Sequence, residues 1–232
     1  MPESEFGHIR ALEVFSGMED PHFYRLMRGA YLQNFPPMIE LITEGDPSDF
    51  LHIVVSGSVE LFSCWNGRET TMATLWPVST FILAATVKDA PYLMSARTLE
   101  KSRIVLLPSS DVRDAFDADP KFAQAIVSEL AHCYRSVVKG TKDLKLRTSV
   151  ERLANYLLRQ QKRSDGSSEF VLHTEKKRLA SALGMTPENM SRAIKTLQPY
   201  GVIVTGNKVT ISDQDDLERF AKPSALIDDY SV

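Results

Sequence analysis

Glu188, Ser191 and Arg192 are spaced to bring a carboxylate, a hydroxyl and a guanidinium onto one side of a helix. Such a surface can read base edges in a DNA major groove. Arg donates two bonds to guanine O6 and N7, Glu accepts from cytosine N4, and Ser serves either role. The same Glu–Arg spacing could instead close an intrahelical ion pair, worth about a few tenths of a kcal/mol. The flanking residues favour base reading. Met190, Ala193, Ile194 and Leu197 recur at i, i+3, i+4 and i+7 and must face inward. That leaves Glu188, Asn189, Ser191, Arg192 and Lys195 outside. Thr186 is a good N-cap, Pro187 suits the first helical position, and Glu188 lies near the positive end of the helix dipole. Upstream, Thr174 to Leu183 reads as another short helix, with Leu179, Ala180 and Leu183 on its apolar face. Gly184 can take the left-handed conformation that ends it. Helix, tight turn, helix is a DNA-docking layout whose second helix enters the major groove.

Other elements must carry this motif. Downstream, Val202 to Val204, the turn Gly206-Asn207 and Val209 to Ile211 predict a β-hairpin. Upstream, Thr148 or Ser149 caps a helix running to about Gln161, with Leu153, Tyr156 and Leu157 inward. Before that, Asp119-Pro120 opens a long proline-free segment in which Ile126, Leu130, Val137 and Leu144 recur at helical spacing, with Cys133 nearby. Such a stripe must be buried, against its own β domain or against its twin in a dimer; pairing is the simpler solution. Residues 31 to 108 read as β. Phe50 to Val55 is a dense apolar run, Gly57 breaks it, Val59 and Leu61 alternate with polar neighbours, and Asn66-Gly67 marks a hairpin. Thr70 to Trp76 and Ser102 to Leu107 supply further strands. The tail from Pro223 is short, acidic and expected to be mobile.

The charge distribution points the same way. The net charge is −3, but Lys139 to Lys208 holds 14 Lys or Arg against 6 Asp or Glu, a net of +8, and the remainder carries −11. One segment facing a polyanion accounts for that asymmetry. Cys64 and Cys133 are too few for a disulfide framework or a zinc set. No run is long enough to span a membrane, and no signal-peptide core stands at the N-terminus. A cytoplasmic location is expected, with no membrane partner.

The stretch Ala180 to Leu197 resembles the helix-turn-helix of the CRP/FNR superfamily of bacterial transcription regulators. The resemblance covers nearly the whole chain. Gly45-Asp46, Phe50 to Gly57 and Val59 to Phe62 look like its β-roll, Ala123 to Leu146 like its dimerisation helix, and Val202 to Ile211 like its wing. Glu-x-x-Ser-Arg at Glu188, Ser191 and Arg192 matches the FNR branch. The CRP branch has Gly for Ser and an Arg where this chain has Pro187. The resemblance implies a homodimer on double-stranded DNA, an FNR-like palindrome with TTGAT half-sites, and RNA polymerase as a partner. Phe81 to Arg103 and Phe50 to Val55 are similar to the nitric-oxide-responsive NnrR-type regulators of denitrification, which implies nitric oxide or low-oxygen signalling, with haem as the conceivable cofactor.

In this superfamily a bound cyclic nucleotide has its phosphate held by a Gly-Glu pair and an Arg-Ser pair. Ser79 to Thr86 and Tyr92 to Ser95 offer neither the Gly-Glu nor the arginine. A buried phosphate without a cation is strongly disfavoured, so cAMP is not expected. Two cysteines cannot hold an FNR-type iron–sulfur cluster, which needs four thiolates. Phe81, Ile82, Leu83, Tyr92, Leu93 and Met94 could line an apolar effector pocket or simply form core. His52 is the first choice of iron ligand among five histidines that show no metal-ligand spacing. No metal site is assigned. A Met1-Pro2 start offers a terminal proline, which a related carbon-monoxide sensor uses on haem. Cys64 and Cys133 could form a redox switch or be plain packed thiols.

The expected fold is α+β: an N-terminal β-roll (double-stranded β-helix or jelly-roll) sensor domain over 1–118, a dimerisation helix over 119–146, a winged helix-turn-helix domain over 147–222 and a tail over 223–232. Base reading falls to Glu188, Ser191 and Arg192, and backbone contacts to Lys176, Lys177, Arg178, Thr186, Asn189 and Lys195. No enzymatic role is expected; a cupin-like enzyme would need a metal triad, and the β region offers only His52. A DNA-free cyclic-nucleotide-binding subunit is opposed by the recognition helix.

Overall fold

The computed structural model describes residues 6–229, so Met1 and Pro2 lie outside the described residues. Contacts divide the chain into two units, Met1–Cys133 and Tyr134–Val232. The first opens with helices α1 (Phe6–Arg10), α2 (Glu13–Ser16) and α3 (Asp20–Arg28). Strands β1 (Tyr31–Phe35), β2 (Glu40–Ile42), β3 (Phe50–Ser56), β4 (Val59–Trp65), β5 (Arg68–Leu75) and β6 (Ser79–Phe81) follow. Helix α4 (Leu83–Lys88), strands β7 (Ser95–Thr98) and β8 (Ser102–Pro108), and helix α5 (Ser109–Ala118) lead into the long α6 (Pro120–Leu146). The strands form two antiparallel sheets, ordered β1-β8-β3-β6 and β2-β7-β4-β5.

The dense apolar run of β3 follows from its position. Leu51 and Ile53 pack with Val105 and Leu107 of β8 under a helical layer that includes Phe15, Phe23, Leu26 and Phe122. Val54 points the other way, into the space between the sheets, with Val59, Leu61, Phe81, Tyr92 and Ile104. A strand buried on both faces has no solvent side, so its sequence loses the polar alternation of β4. The turn at Asn66-Gly67 has φ of 49° and 73°, and Trp65 pairs with Arg68 across it. Two positive φ values are what a two-residue hairpin needs.

Asp119 fixes the start of α6. Its Oδ1 accepts from the N–H groups of Lys121 and Phe122, each at 3.0 Å, and its Oδ2 accepts from the Glu19 N–H at 2.7 Å. Phe122 and Ile126 then enter the helix-covered core, with Leu130 partly buried beside them. Ile126 therefore belongs to its own unit's core and cannot serve as a dimer contact. The unit boundary falls inside α6 for the same reason.

The second unit takes the last part of α6, then α7 (Ser149–Arg163), β9 (Glu169–Val171), α8 (Lys176–Ala182) and α9 (Pro187–Leu197). After a 3-10 turn come β10 (Val202–Thr205), β11 (Lys208–Ile211), α10 (Gln214–Ala221) and α11 (Ala225–Asp228). Thr148 caps α7 in a reciprocal capping box with Glu151. The sheet order is β10-β11-β9; β9 was not anticipated and makes the wing three-stranded. Where a mobile tail was expected from Pro223, the described residues form α11, tied down by Asp228.

Candidate nucleic-acid interface

The reading helix is built from its inner face. Met190, Ala193 and Leu197 are buried with Leu153, Leu157, Leu179, Ala180 and Leu183. Burying Met190 and Leu197, at about 1.5–3 kcal/mol each, fixes which side of α9 faces out. The Thr186 hydroxyl accepts from the Asn189 N–H at 3.2 Å. Gly184 turns the chain at φ +63°, and a Cβ there would lie 2.7 Å from Leu144 Cδ2. The positive φ is what calls for glycine, since the Leu144 methyl ends a flexible side chain that can move aside.

On the outer side, Glu188, Asn189, Ser191, Arg192 and Lys195 are all exposed. Arg192 does not close the alternative ion pair with Glu188. Arg192 Nη2 donates to Asn189 Oδ1, and Ser191 Oγ donates back to the Pro187 carbonyl at 3.0 Å. Glu188 is held below the usual carboxylate range by its own backbone N–H first, then by the Thr186 side chain and the charge of Arg192. The anionic acceptor and the cationic fork therefore remain displayed together. Lys176 and Lys177 are exposed at the start of α8, whereas Arg178 is engaged by Glu175 at 3.0 Å.

A residue with no role in the sequence reading holds this motif in place. Arg152 is buried and donates to three backbone carbonyls: Leu183 at 2.8 Å, Gly184 at 3.2 Å and Arg147 at 2.7 Å. Those carbonyls lie at the C-terminal ends of α8 and α6, where helix dipoles place partial negative charge. One cation thereby joins the turn before α9 to the junction after α6. A charged residue beside Leu153 on the inward side of α7 was the available signal.

Most of the exposed apolar positions of α6 fall along one seam, with Val138 and Leu146 off it. Val127, Leu130, Tyr134, Val137, Thr141 and Leu144 recur at alternating spacings of three and four. Val127, Tyr134, Val137 and Leu144 are exposed, Val137 to 65%. That is the a/d pattern of a two-stranded coiled coil. Leu130, Val137 and Leu144 keep their places in the stripe, Ile126 leaves it, and Val127 and Tyr134 join. Cys133 is exposed beside the seam; burial first, then Glu129, pushes its thiol up, which opposes a reactive thiolate.

The seven effector residues do not line one pocket. Leu93 is 83% exposed, and Leu83 packs in the helix-covered core. Phe81 and Tyr92 are buried between the sheets, with Ile82 and Met94 partly buried against them. His52 is buried with its ring stacked on Phe81, centroids 5.0 Å apart. This arrangement does not fit a haem held by His52. The reason is topological: β6 and α4 send consecutive residues of one apolar run into different cores. Among the described residues no three His, Cys, Asp or Glu side chains are grouped to hold a metal ion, and no helix is long and apolar enough to cross a membrane.

Comparisons with known proteins agree with both units. Residues 151–220 match the Crp-like helix-turn-helix domain, and residues 32–119 match the cyclic nucleotide-binding domain. The chain is 26% identical to the CRP-like cAMP-activated global transcriptional regulator of Mycobacterium tuberculosis, over 90% of this chain and 96% of the relative. It is 24% identical to the anaerobic regulatory protein of Pasteurella multocida, over 75% of this chain and 65% of that one. The fold is that of FixK2 from Bradyrhizobium japonicum, with TM-score 0.71, 22% identity, and coverage of 84% of this chain and 99% of the other. With the two domains in this order and a capped reading helix in the second, the chain belongs to the CRP/FNR family of DNA-binding transcription regulators.

Proposed function

We propose that this regulator grips a palindromic duplex as a homodimer paired along α6, reading TTGAT-type half-sites with Glu188, Ser191 and Arg192. Lys176, Lys177, Lys195, Asn189 and Thr186 contact phosphates, which position the helix without reading sequence. Arg178 joins them once it leaves Glu175. The observation that carries this reading is the outer side of α9, where an acceptor, a hydroxyl and a guanidinium stand exposed above a buried apolar face. RNA polymerase is the partner expected of such a regulator. In a gel-shift titration, Arg192→Ala loses the preference for a TTGAT palindrome over a scrambled duplex while keeping weak binding to both. Unchanged discrimination refutes the role given to Arg192.

For the signal, we propose nitric oxide or a related nitrogen-oxide or low-oxygen cue, on the likeness of Phe81 to Arg103 to NnrR-type regulators. A cyclic nucleotide is the second reading, favoured by the domain matched over residues 32–119 and by the cAMP-activated relative. Against it stands the stretch Ser79 to Thr86, which offers no Gly-Glu pair to hold a phosphate. Purified protein offered haem, then nitric oxide, separates the two: a Soret band that moves with nitric oxide supports the first. A rise in palindrome affinity with cAMP supports the second and overturns the first.

A further inference from the structure

The junction between α6 and α7 consists of Arg147 and Thr148 alone, and the last described residues of the chain fold back onto it. The Arg147 guanidinium makes two parallel bonds to the Asp228 carboxylate, Nη1 to Oδ1 and Nη2 to Oδ2, each 2.7 Å. Its Nη1 also reaches Asp143, one turn earlier on α6, at 2.9 Å. Arg159 of α7 donates to Asp228 Oδ1 at 2.7 Å, and the Ser224 N–H donates to Oδ2 at 2.7 Å. Lys139 of α6 donates to the Asp229 carbonyl. One carboxylate thus joins α6, the junction, α7 and α11.

This network is enclosed: the side chains of Arg147 and Asp228 are 8% and 11% exposed. Burial pushes the Asp228 carboxyl up, but the Arg147 and Ser224 hydrogen bonds and the charges of Arg147 and Arg159 outweigh it and hold it below the usual range. Forked arginine–carboxylate pairs fix direction as well as distance. Between Ser224 and Asp229 only Ile227 is a buried apolar side chain, so charge rather than core packing seats the segment.

We propose that Ser224–Asp229 is a strap that sets the winged-helix module on the end of α6, with Asp228 as a positioning residue for DNA binding. The proposal rests on the reading that two copies grip a palindrome. Half-sites lie about one helical turn, ~34 Å, apart, so a small swing at Arg147–Thr148 moves both reading helices out of register. Arg152 ties the turn before α9 to the Arg147 carbonyl without using the strap. Releasing the strap therefore leaves the module folded and its orientation loose.

The test compares the parent, Asp228→Asn, Asp228→Glu and a chain ending at Lys222. Each is titrated against the palindrome, the palindrome with one inserted central base pair, and a single half-site. In Asp228→Asn and the shortened chain the preference for native spacing drops about tenfold while half-site affinity stays at the parent value; thermal melting falls, because Arg147 and Arg159 lose an enclosed partner. Asp228→Glu, which keeps the charge, retains most of the preference. Parent-like spacing preference in both Asp228→Asn and the shortened chain overturns the strap. So does an equal loss on half-site and palindrome, which would place Asp228 in module folding. A parent that cannot tell the palindrome from a scrambled duplex instead defeats the DNA-reading account, and the strap's role with it.

Discussion

His52 is buried against Phe81, and its Nδ1 has no hydrogen-bond partner. Burial, opposed in part by a hydrogen bond with the Phe50 backbone, lowers its pKa from 6.5 to about 4. The folded state therefore keeps a neutral ring where the unfolded chain takes up a proton. Stability is fully present above the unfolded value and falls as pH drops through it, until the folded pKa is reached. Between pH 7 and about 5 the loss should be on the order of 2 kcal/mol. Urea unfolding of the parent and His52→Phe checks this: the variant's midpoint should be nearly flat over that range, and equal slopes would contradict it. The sequence left His52 open as a surface or packed ring or an iron ligand; its stacking neighbour Phe81 could not be read there, because it arrives from β6. The roles of Arg152 and Asp228 were hidden for the same reason: Leu183 lies 31 residues from Arg152, and Arg147 lies 81 residues from Asp228. Thr186, Pro187 and the outer residues of α9 were legible because capping and periodicity are local.

Helix α6 shows how one element can serve two surfaces. Its first turns finish the core of the first unit through Phe122 and Ile126, and its later turns present the seam. Periodicity alone joined Ile126 to Leu130, Val137 and Leu144, since a 3.6-residue repeat cannot tell which apolar face meets which partner. The two faces predict opposite phenotypes. Val137→Asp should convert the dimer to monomer in sedimentation without lowering the melting temperature of the first unit. Ile126→Ala should leave association intact and destabilise that unit by about 2–5 kcal/mol. Dimers that survive Val137→Asp would exclude the seam. Strand β3 hid its direction behind double-sided burial, and β9, with three residues, was too short for a periodic signal.

At the scale of the molecule, the charge asymmetry overstates what faces DNA. Within Lys139 to Lys208, Arg147 and Arg159 are engaged by Asp228, Arg152 by carbonyls, Arg178 by Glu175 and Lys208 by Glu169. Counting residues along the chain could not separate these structural cations from the exposed Lys176, Lys177, Arg192 and Lys195. The order of the parts, β-roll, long helix and winged helix-turn-helix, was legible because each has its own period and punctuation. The signal-binding chemistry was not, because the sandwich interior is assembled from residues scattered from Ile42 to Ile104.

The most direct test of the central claim pairs a protein change with a DNA change. Parent and Arg192→Ala are titrated against a TTGAT palindrome whose half-site guanines are either natural or 7-deazaguanine, which lacks the N7 acceptor. The account predicts that the parent loses about tenfold affinity on the modified duplex and the variant loses nothing further, since one good base contact is worth about 1–3 kcal/mol. An equal loss for parent and variant would show that Arg192 does not meet that guanine, and would contradict the reading of α9.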